Sequence, residues 1–254
     1  MIRGLYAAAA AMAAQMTRWE VLANNLANSN TTGFKRDVVA FRSFAEMAIN
    51  RIATRRIGKE EGDERVPIGT LGVGSIVDEV RAVLEEGYLV KTDNPLDFAI
   101  DGPGFFVIET PRGLRWTRNG SFVLNDRGEL ITKEGFYVLG DTGRISIAGT
   151  GAVTVTPEGD IFVGANRVGR LRVEAPAQGS WPLKEGGSAF VPTATLQPFQ
   201  GRILQGYIEG SNVNPVRELV SMIEALRSYE AAQRLIQVQD QTLDRAINDV
   251  GRTR

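Results

Sequence analysis

The chain has 254 residues, a formal net charge of −1, 43% hydrophobic and 23% charged residues, an ordinary globular composition that gives no bulk electrostatic reason to bind nucleic acid or an anionic membrane. Cysteine and histidine are both absent. That removes disulfides, thiol nucleophiles, the usual imidazole acid–base group and the commonest zinc, copper and iron ligands, so no cofactor or metal site is expected.

The first predicted element is a helix. Ile2, Leu5, Ala9, Met12, Met16, Trp19, Ala23 and Leu26 are all apolar and spaced alternately three and four residues apart, a heptad seam in an alanine-rich filling of high helix propensity. Its start imitates a signal peptide, with Arg3, an apolar run and Ala11-Met12-Ala13. The core is mostly alanine, however, and the periodicity continues through the supposed cleavage point, so the segment reads as a helix that is retained. Asn24 to Gly33 then stops it, since Asn and Gly tolerate the left-handed conformation and Asn, Ser and Thr bond local backbone. Phe34, Phe41 and Phe44 mark an extended exit. Dense mixed charge from Arg51 to Arg65, followed by Pro67, Gly69, Gly72 and Gly74, reads as an extended linker reaching to Gly87.

From Asp97 onward short alternating runs are broken by glycine. Phe98 and Ile100, then Phe105 to Ile108, flank Asp101-Gly102-Pro103-Gly104. Asn119-Gly120 is a hairpin dipeptide, and Asn125 to Gly128, Lys133 to Gly135 and Pro157 to Asp160 are further turn signals. Regular short strands without intervening helices predict an antiparallel β-domain closing near Tyr207. Last comes a long helix with Asn214 as N-cap and Pro215 at its first position. Its predicted seam runs Leu219, Met222, Leu226, Tyr229, Gln233, Ile236, Asp240, Leu243, Ile247 and Val250. At about 50 Å such a helix is longer than the chain's own core requires. A partner helix is expected, and the two polar seam positions, Gln233 and Asp240, are expected to fix register.

Chemistry-bearing motifs are weak. Gly102-x-Gly104 lacks the third glycine and the helix of a dinucleotide loop, and Gly69-x-x-Gly72-x-Gly74 lacks the Lys-Ser/Thr of a P-loop. Asp97 with Asp101, or Glu109 with Asp126, could form a hydrolase carboxylate pair, but nothing in the sequence places either pair face to face. Trp116 and Trp181 read as core or rim of the β-domain.

Three signatures carry a family resemblance. Ala23-Asn24-Asn25-Leu26-Ala27-Asn28 with Thr32-Gly33-Phe34-Lys35-Arg36 resembles the N-terminal signature of the bacterial flagellar rod and hook axial proteins. Asn94 to Phe106, Thr117-Arg118-Asn119-Gly120-Ser121-Phe122 and Gly128 to Thr132 resemble that family's central domain. Gln205 to Asn214, Met222-Ile223 and Arg227 to Glu230 resemble its C-terminal signature. The types it is most similar to are the proximal-rod FlgF and the distal-rod FlgG. Val138 to Gly143 looks like the former, Ala246 to Arg252 like the latter, and the balance leans to the proximal type.

The resemblance implies an α+β fold: long N- and C-terminal helices forming a coiled-coil-like tube domain, with a central antiparallel β-rich domain. The expected divisions are 1–36 (helix and Asn-rich turn), 37–87 (extended linker), 88–207 (β-domain) and 208–254 (helix). It implies a structural axial subunit of the basal-body rod, not an enzyme, that self-assembles helically and transmits torque from motor to hook. The implied partners are itself, other rod and hook axial proteins and the flagellar type III export apparatus, with no cleaved signal, no nucleic acid and no small-molecule substrate. The expected assembly interface is Leu5, Met12, Met16, Trp19, Leu26, Leu219, Met222, Leu226, Tyr229, Gln233, Ile236, Asp240, Leu243 and Ile247. The ends are expected to order only on assembly. The competing readings are a secreted β-domain hydrolase, or an adhesin-like binding module, with helical oligomerisation ends.

Overall fold

The structure, a computed structural model, describes residues 2–57, 60–147, 151–177, 179–192 and 195–251, with side chains described at these positions except 2–3, 44–45, 52–65, 71, 73 and 249–251. Ile2, Phe44, Val250 and the charged run 52–65 therefore lie outside the described side chains. Two compact units are present. One comprises Met1–Ala23, Val39–Val80 and Leu219–Arg254, the other Asn24–Val38 and Arg81–Glu218.

Helix α1 spans Ile2–Ala27 and strands β1 and β2 span Asp37–Ile57 and Glu60–Ala82, paired with each other. Helix α2 spans Pro215–Gly251. Its start follows the sequence: the Asn214 Oδ1 accepts a hydrogen bond from the Arg217 N–H at 3.1 Å, and Pro215 opens the first turn, where no amide donor is required. In the first unit β2 lies directly on α1. A Cβ on Gly74 would come 3.4 Å from the Cβ of Ala10 and 3.7 Å from the Cα of Ala7.

The second unit is β-rich. Its strands are β3 (Leu89–Lys91), β4 (Phe98–Asp101), β5 (Phe105–Thr110), β6 (Gly113–Thr117), β7 (Phe122–Leu124), β8 (Leu130–Thr132), β9 (Tyr137–Gly140) and β10 (Gly143–Arg144). They continue with β11 (Val153–Val155), β12 (Asp160–Val163), β13 (Asn166–Arg170), β14 (Val173–Pro176), β15 (Ala189–Phe190), β16 (Leu196–Gln197), β17 (Arg202–Gln205) and β18 (Tyr207–Glu209). The main sheet runs β15-β6-β5-β9-β8-β7, with β14 also on β5. β11-β12-β13 forms a separate antiparallel sheet, β17 pairs with β4, and β18 pairs with β3.

Strand β5 organises the packing. Phe106 and Ile108 enter one core with Phe98, Phe122, Leu130 and Ile161; Phe105 and Val107 enter another with Ala82, Trp116 and Phe190. A strand apolar on both faces is buried on both faces, which is why Phe105 to Ile108 reads as a continuous run rather than an alternation. Phe105 stacks on Trp116 with ring centroids 5.5 Å apart, and Phe106 meets Phe122 edge-on at 5.3 Å. Such pairs add about 0.5–1.5 kcal/mol each beyond area burial. Trp116 is thus core, its Nε1 donating to Glu174 at 2.7 Å, while Trp181 is exposed with the Arg81 guanidinium over its ring.

The α+β expectation holds in its coarse form; its finer description does not. Among the described residues there are two helices, one at each end, and a body of many strands, not a coiled-coil-like tube domain of long terminal helices set beside a central β-domain. The physical reason is that the alanine face of α1, at Ala7 and Ala10, is covered by β2. The unit holding most of both helices therefore also holds a two-stranded sheet. The expected hairpin at Asn119-Gly120 is also corrected. β6 and β7, on either side of it, are not paired with each other, and a Cβ on Gly120 would come 1.7 Å from the carbonyl oxygen of Phe98. This glycine permits close backbone approach. The turns at 125–128 and 133–135 do join paired strands.

The two glycine types predict different substitution costs. Gly120→Ala meets backbone at close range and should lose about 3 kcal/mol or more of stability. At Gly135 φ is 89° and nothing lies within 4 Å of an added Cβ, so Gly135→Ala should lose only the left-handed penalty of about 1–2 kcal/mol. Urea denaturation of both variants checks the order.

Candidate functional site

The terminal helices are the expected assembly elements. In the first unit they run antiparallel: Gly4 lies against the Gln239 side chain, while Gln15, Met16 and Trp19 share a groove of about 300 Å³ with Ala225, Leu226 and Tyr229. On α2 the covered positions are Glu218, Ser221, Met222, Ala225, Tyr229, Ala232, Ile236, Gln239, Leu243 and Ala246. Met222, Tyr229, Ile236 and Leu243 lie on the expected seam. The alternate positions fall one residue earlier than expected, so that Ala225 and Ala232 are buried while Leu226 and Gln233 are exposed. Leu219, Asp240 and Ile247 are exposed as well. On α1 the buried residues are Ala8, Ala14 and Asn25; Leu5, Met12 and Leu26 are half-buried, and Met16 and Trp19 are exposed.

The cause is residue size. Periodicity gives weight to large apolar side chains, but close packing of a helix is made by the small ones, which bring backbones near. Each helix therefore carries two stripes. On α2 the alanines face inward, and Val216, Leu219, Val220, Ile223 and Leu226 form an outward stripe, each 47% to 71% exposed. The covered polar groups are correspondingly different from those expected. Gln15 and Gln239 have buried Oε1 atoms without a hydrogen-bond partner, whereas Gln233 and Asp240 face outward.

Sequence reasoning missed a second constellation, which lies wholly in the second unit. The Glu209 carboxylate is 1% exposed and accepts from Lys35 Nζ at 2.5 Å, Arg118 Nη1 at 3.1 Å and the Gly87 N–H at 2.8 Å. Lys35 also donates to the Glu85 carbonyl at 2.6 Å, and Arg118 donates to the carbonyls of Ile100 and Gly102. The guanidinium of Arg118 sits 5.3 Å from the centre of the Phe105 ring. Burial pushes the Lys35 ammonium below the ordinary lysine range, and the Glu209 carboxylate opposes that shift. Removing one partner of a buried ion pair typically costs about 3–5 kcal/mol, far more than any exposed pair.

Asparagines extend the knot. Asn25 accepts from the Asp37 N–H and donates to the Asp37 carbonyl, both at 2.8 Å, as a neighbouring strand would. Asn212 accepts from the Arg36 N–H at 2.7 Å and donates to the Val83 and Glu85 carbonyls. Asn119 accepts from the Thr32 hydroxyl at 2.8 Å. Gly33, with φ of 66°, donates its N–H to the Glu209 carbonyl at 2.8 Å, and a Cβ there would come 2.3 Å from the Asn119 nitrogen. The N-terminal, central and C-terminal signatures thus meet at one buried site. The available signal was a charge beside an apolar residue or glycine, at Phe34-Lys35, Arg118-Asn119-Gly120 and Ile208-Glu209-Gly210.

Two of the suggested hydrolase carboxylates are committed to arginines: Asp101 to Arg202 at 2.7 Å and Glu109 to Arg144 at 2.8 Å. Hydrogen bonding from Arg144 lowers the Glu109 pKa, the opposite of what a general acid needs.

Three family profiles match in chain order: flagella basal body rod protein over residues 5–35, flagellar hook protein FlgE/F/G D1 domain over 99–163, and flagellar basal body rod FlgEFG protein C-terminal over 204–249. Similarity also runs along nearly whole chains. The flagellar hook-basal body complex protein FlhO of Bacillus subtilis is 31% identical over 99% of this chain and 100% of its own. The basal-body rod protein FlgG of Caulobacter vibrioides is 34% identical over 95% and 97%, and the rod protein FlgF of Rhizobium meliloti 31% over the whole of both. The chain belongs to the flagellar basal-body rod protein family. Members of this family are structural proteins of the basal body rather than enzymes. For a rod-family chain the three matched segments are also the three that the Lys35–Glu209–Arg118 knot ties together.

The two-stripe reading of α2 separates substitutions by face. Ala225→Leu adds bulk to the packed stripe and should lose about 1–3 kcal/mol of stability. Ile223→Ala, on the outward stripe, should stay within about 0.5 kcal/mol. Thermal melting of the unassembled protein distinguishes the two.

Proposed function

We propose that this rod-family chain is an axial subunit that polymerises through the outward faces of its terminal helices. Helical repetition of one heterologous contact builds a filament. The observation carrying this reading is the outward stripe of Val216, Leu219, Val220, Ile223 and Leu226. Five large apolar side chains over three turns of one helix face form the kind of contiguous patch that marks a protein–protein contact. On α1 the exposed Tyr6, Met16 and Trp19 offer the complementary class of surface. The neighbours are further copies of this chain and other rod and hook axial proteins, and the filament carries torque from motor to hook. The subunit reaches the rod through the flagellar type III apparatus.

Gln233 and Asp240 keep a place in this reading as outward polar positions that select one register among neighbours rather than between α1 and α2. The assembly residues of the outward face are then Met16, Trp19, Leu219, Leu226, Gln233, Asp240 and Ile247. Leu5, Met12, Leu26, Met222, Tyr229, Ile236 and Leu243 support the helices from their covered or half-covered side.

The test is the pair Ile223→Glu with Leu226→Glu. Polymer yield by sedimentation should fall at least about tenfold, because two charges would have to be desolvated in each contact. The melting temperature of the unassembled protein should stay within a few degrees. Unchanged polymer yield would exclude this face as the contact.

A further inference from the structure

We propose that the Glu209 carboxylate is a latch that orders the two ends of the chain in sequence, the C-terminal segment seating first and the N-terminal segment docking onto it. The inference rests on an asymmetry among the partners. Residues 207–209 have supports of their own. Strand β18 pairs with β3 in register Tyr207 to Lys91, Ile208 to Val90 and Glu209 to Leu89. The carboxylate also accepts from Arg118 and from the Gly87 amide, neither of which belongs to the terminal segments. It would remain paired if Lys35 were absent.

The N-terminal segment has no strand pairing of this kind; from the body it receives the Val83 N–H at the Arg36 carbonyl, 2.8 Å, and the Glu85 carbonyl at Lys35 Nζ, 2.6 Å. Residues 34–36 belong to no strand, so they are held by single contacts. Four come from the C-terminal segment: the Gly33 N–H to the Glu209 carbonyl, Lys35 Nζ to the Glu209 carboxylate, the Arg36 N–H to the Asn212 side chain and the Asn212 N–H to the Phe34 carbonyl at 3.4 Å. Without Glu209, the Lys35 ammonium would be buried beside the Arg118 guanidinium with only the more distant Glu86 carboxylate acting on it, an arrangement that favours expelling one of the two cations. The Lys184 ammonium, which donates to the Lys35 carbonyl and to Asp37 at 2.8 Å each and lies 3.7 Å from the centre of the Phe34 ring, holds the same segment from its other side. It carries no negative charge and cannot replace the carboxylate.

The consequence for assembly rests on the proposed function: residues 32–37, which follow α1 in the chain, dock only when the segment at 207–212 is already in place. The latch itself is read on unassembled protein and stands or falls separately from the polymer-yield test of the helix faces.

Amide hydrogen exchange by mass spectrometry on the full chain tests the order with three variants. In Glu209→Gln the amides of residues 32–37 should exchange about a hundredfold faster or more, the change expected when a buried charge loses its partner. In Lys35→Met the amides of 207–209 should stay within about tenfold of the parent, because Arg118 and Gly87 still hold the carboxylate. Asn212→Ala keeps every charge and removes the Arg36 contact; residues 32–37 should again loosen while 207–209 do not. This third variant decides the matter even if Glu209→Gln fails to fold. Unchanged protection of 32–37 in Asn212→Ala, or equal loosening of 207–209 and 32–37 in Lys35→Met, would overturn the proposed order.

Discussion

One buried carboxylate brings together groups from three distant parts of this chain. Glu209 neutralises two cations that come from opposite directions along the sequence, Lys35 and Arg118, and it does so at 1% exposure. The two cations share this one hydrogen-bonded anion, with Glu86 the further carboxylate acting on Lys35. Such a cluster adds little net stability over well-packed apolar residues, since desolvation offsets most of the attraction. Its value is specificity: any other docking of residues 32–37 strands an unpaired ammonium, whereas an apolar contact of the same size would tolerate slippage.

Around that point the polar work is done by side chains that imitate backbone. Asn25 pairs with both backbone groups of Asp37, and Asn212 bridges Arg36 to Val83 and Glu85. These short amides allow segments without strand pairing to be buried with their hydrogen bonds made. The helices follow the opposite logic. On α2 the inward stripe alternates small residues, Ala225, Ala232 and Ala246, with Met222, Tyr229, Ile236 and Leu243, and the outward stripe is large and apolar. A helix that served only its own unit would place its leucines inward and its alanines outward.

How far the sequence was legible follows from the same contrast. Helix bounds could be read, because Asn214-Pro215 and the Asn-rich stop at 24–33 act through local backbone chemistry. The β-rich character was legible in turn residues, and the turns at 125–128, 133–135 and 157–160 are where the glycines put them. The face of each helix was not, because periodicity cannot tell an alanine stripe that packs from a leucine stripe that waits; the two share Met222, Tyr229, Ile236 and Leu243. Asn119-Gly120 was misread because a dipeptide suited to a hairpin is equally suited to close approach, and only the Phe98 carbonyl beneath it decides. The knot at Glu209 was invisible for a simpler reason: its three charges are separated by 83 and 91 positions, as the numbering of Lys35, Arg118 and Glu209 shows, and no local pattern pairs them.

The most direct test of this account is a double-mutant cycle between Lys35 and Glu209 on the unassembled chain, using Lys35→Met, Glu209→Gln and the double variant in urea denaturation. If the carboxylate is what admits the N-terminal segment, the two losses should not add. The coupling should reach about 2 kcal/mol, within the range measured for residues sharing one buried network. Additive losses, with coupling below about 0.5 kcal/mol, would mean that Lys35 and Glu209 are merely neighbours and that the ends of this rod-family chain are held by something else.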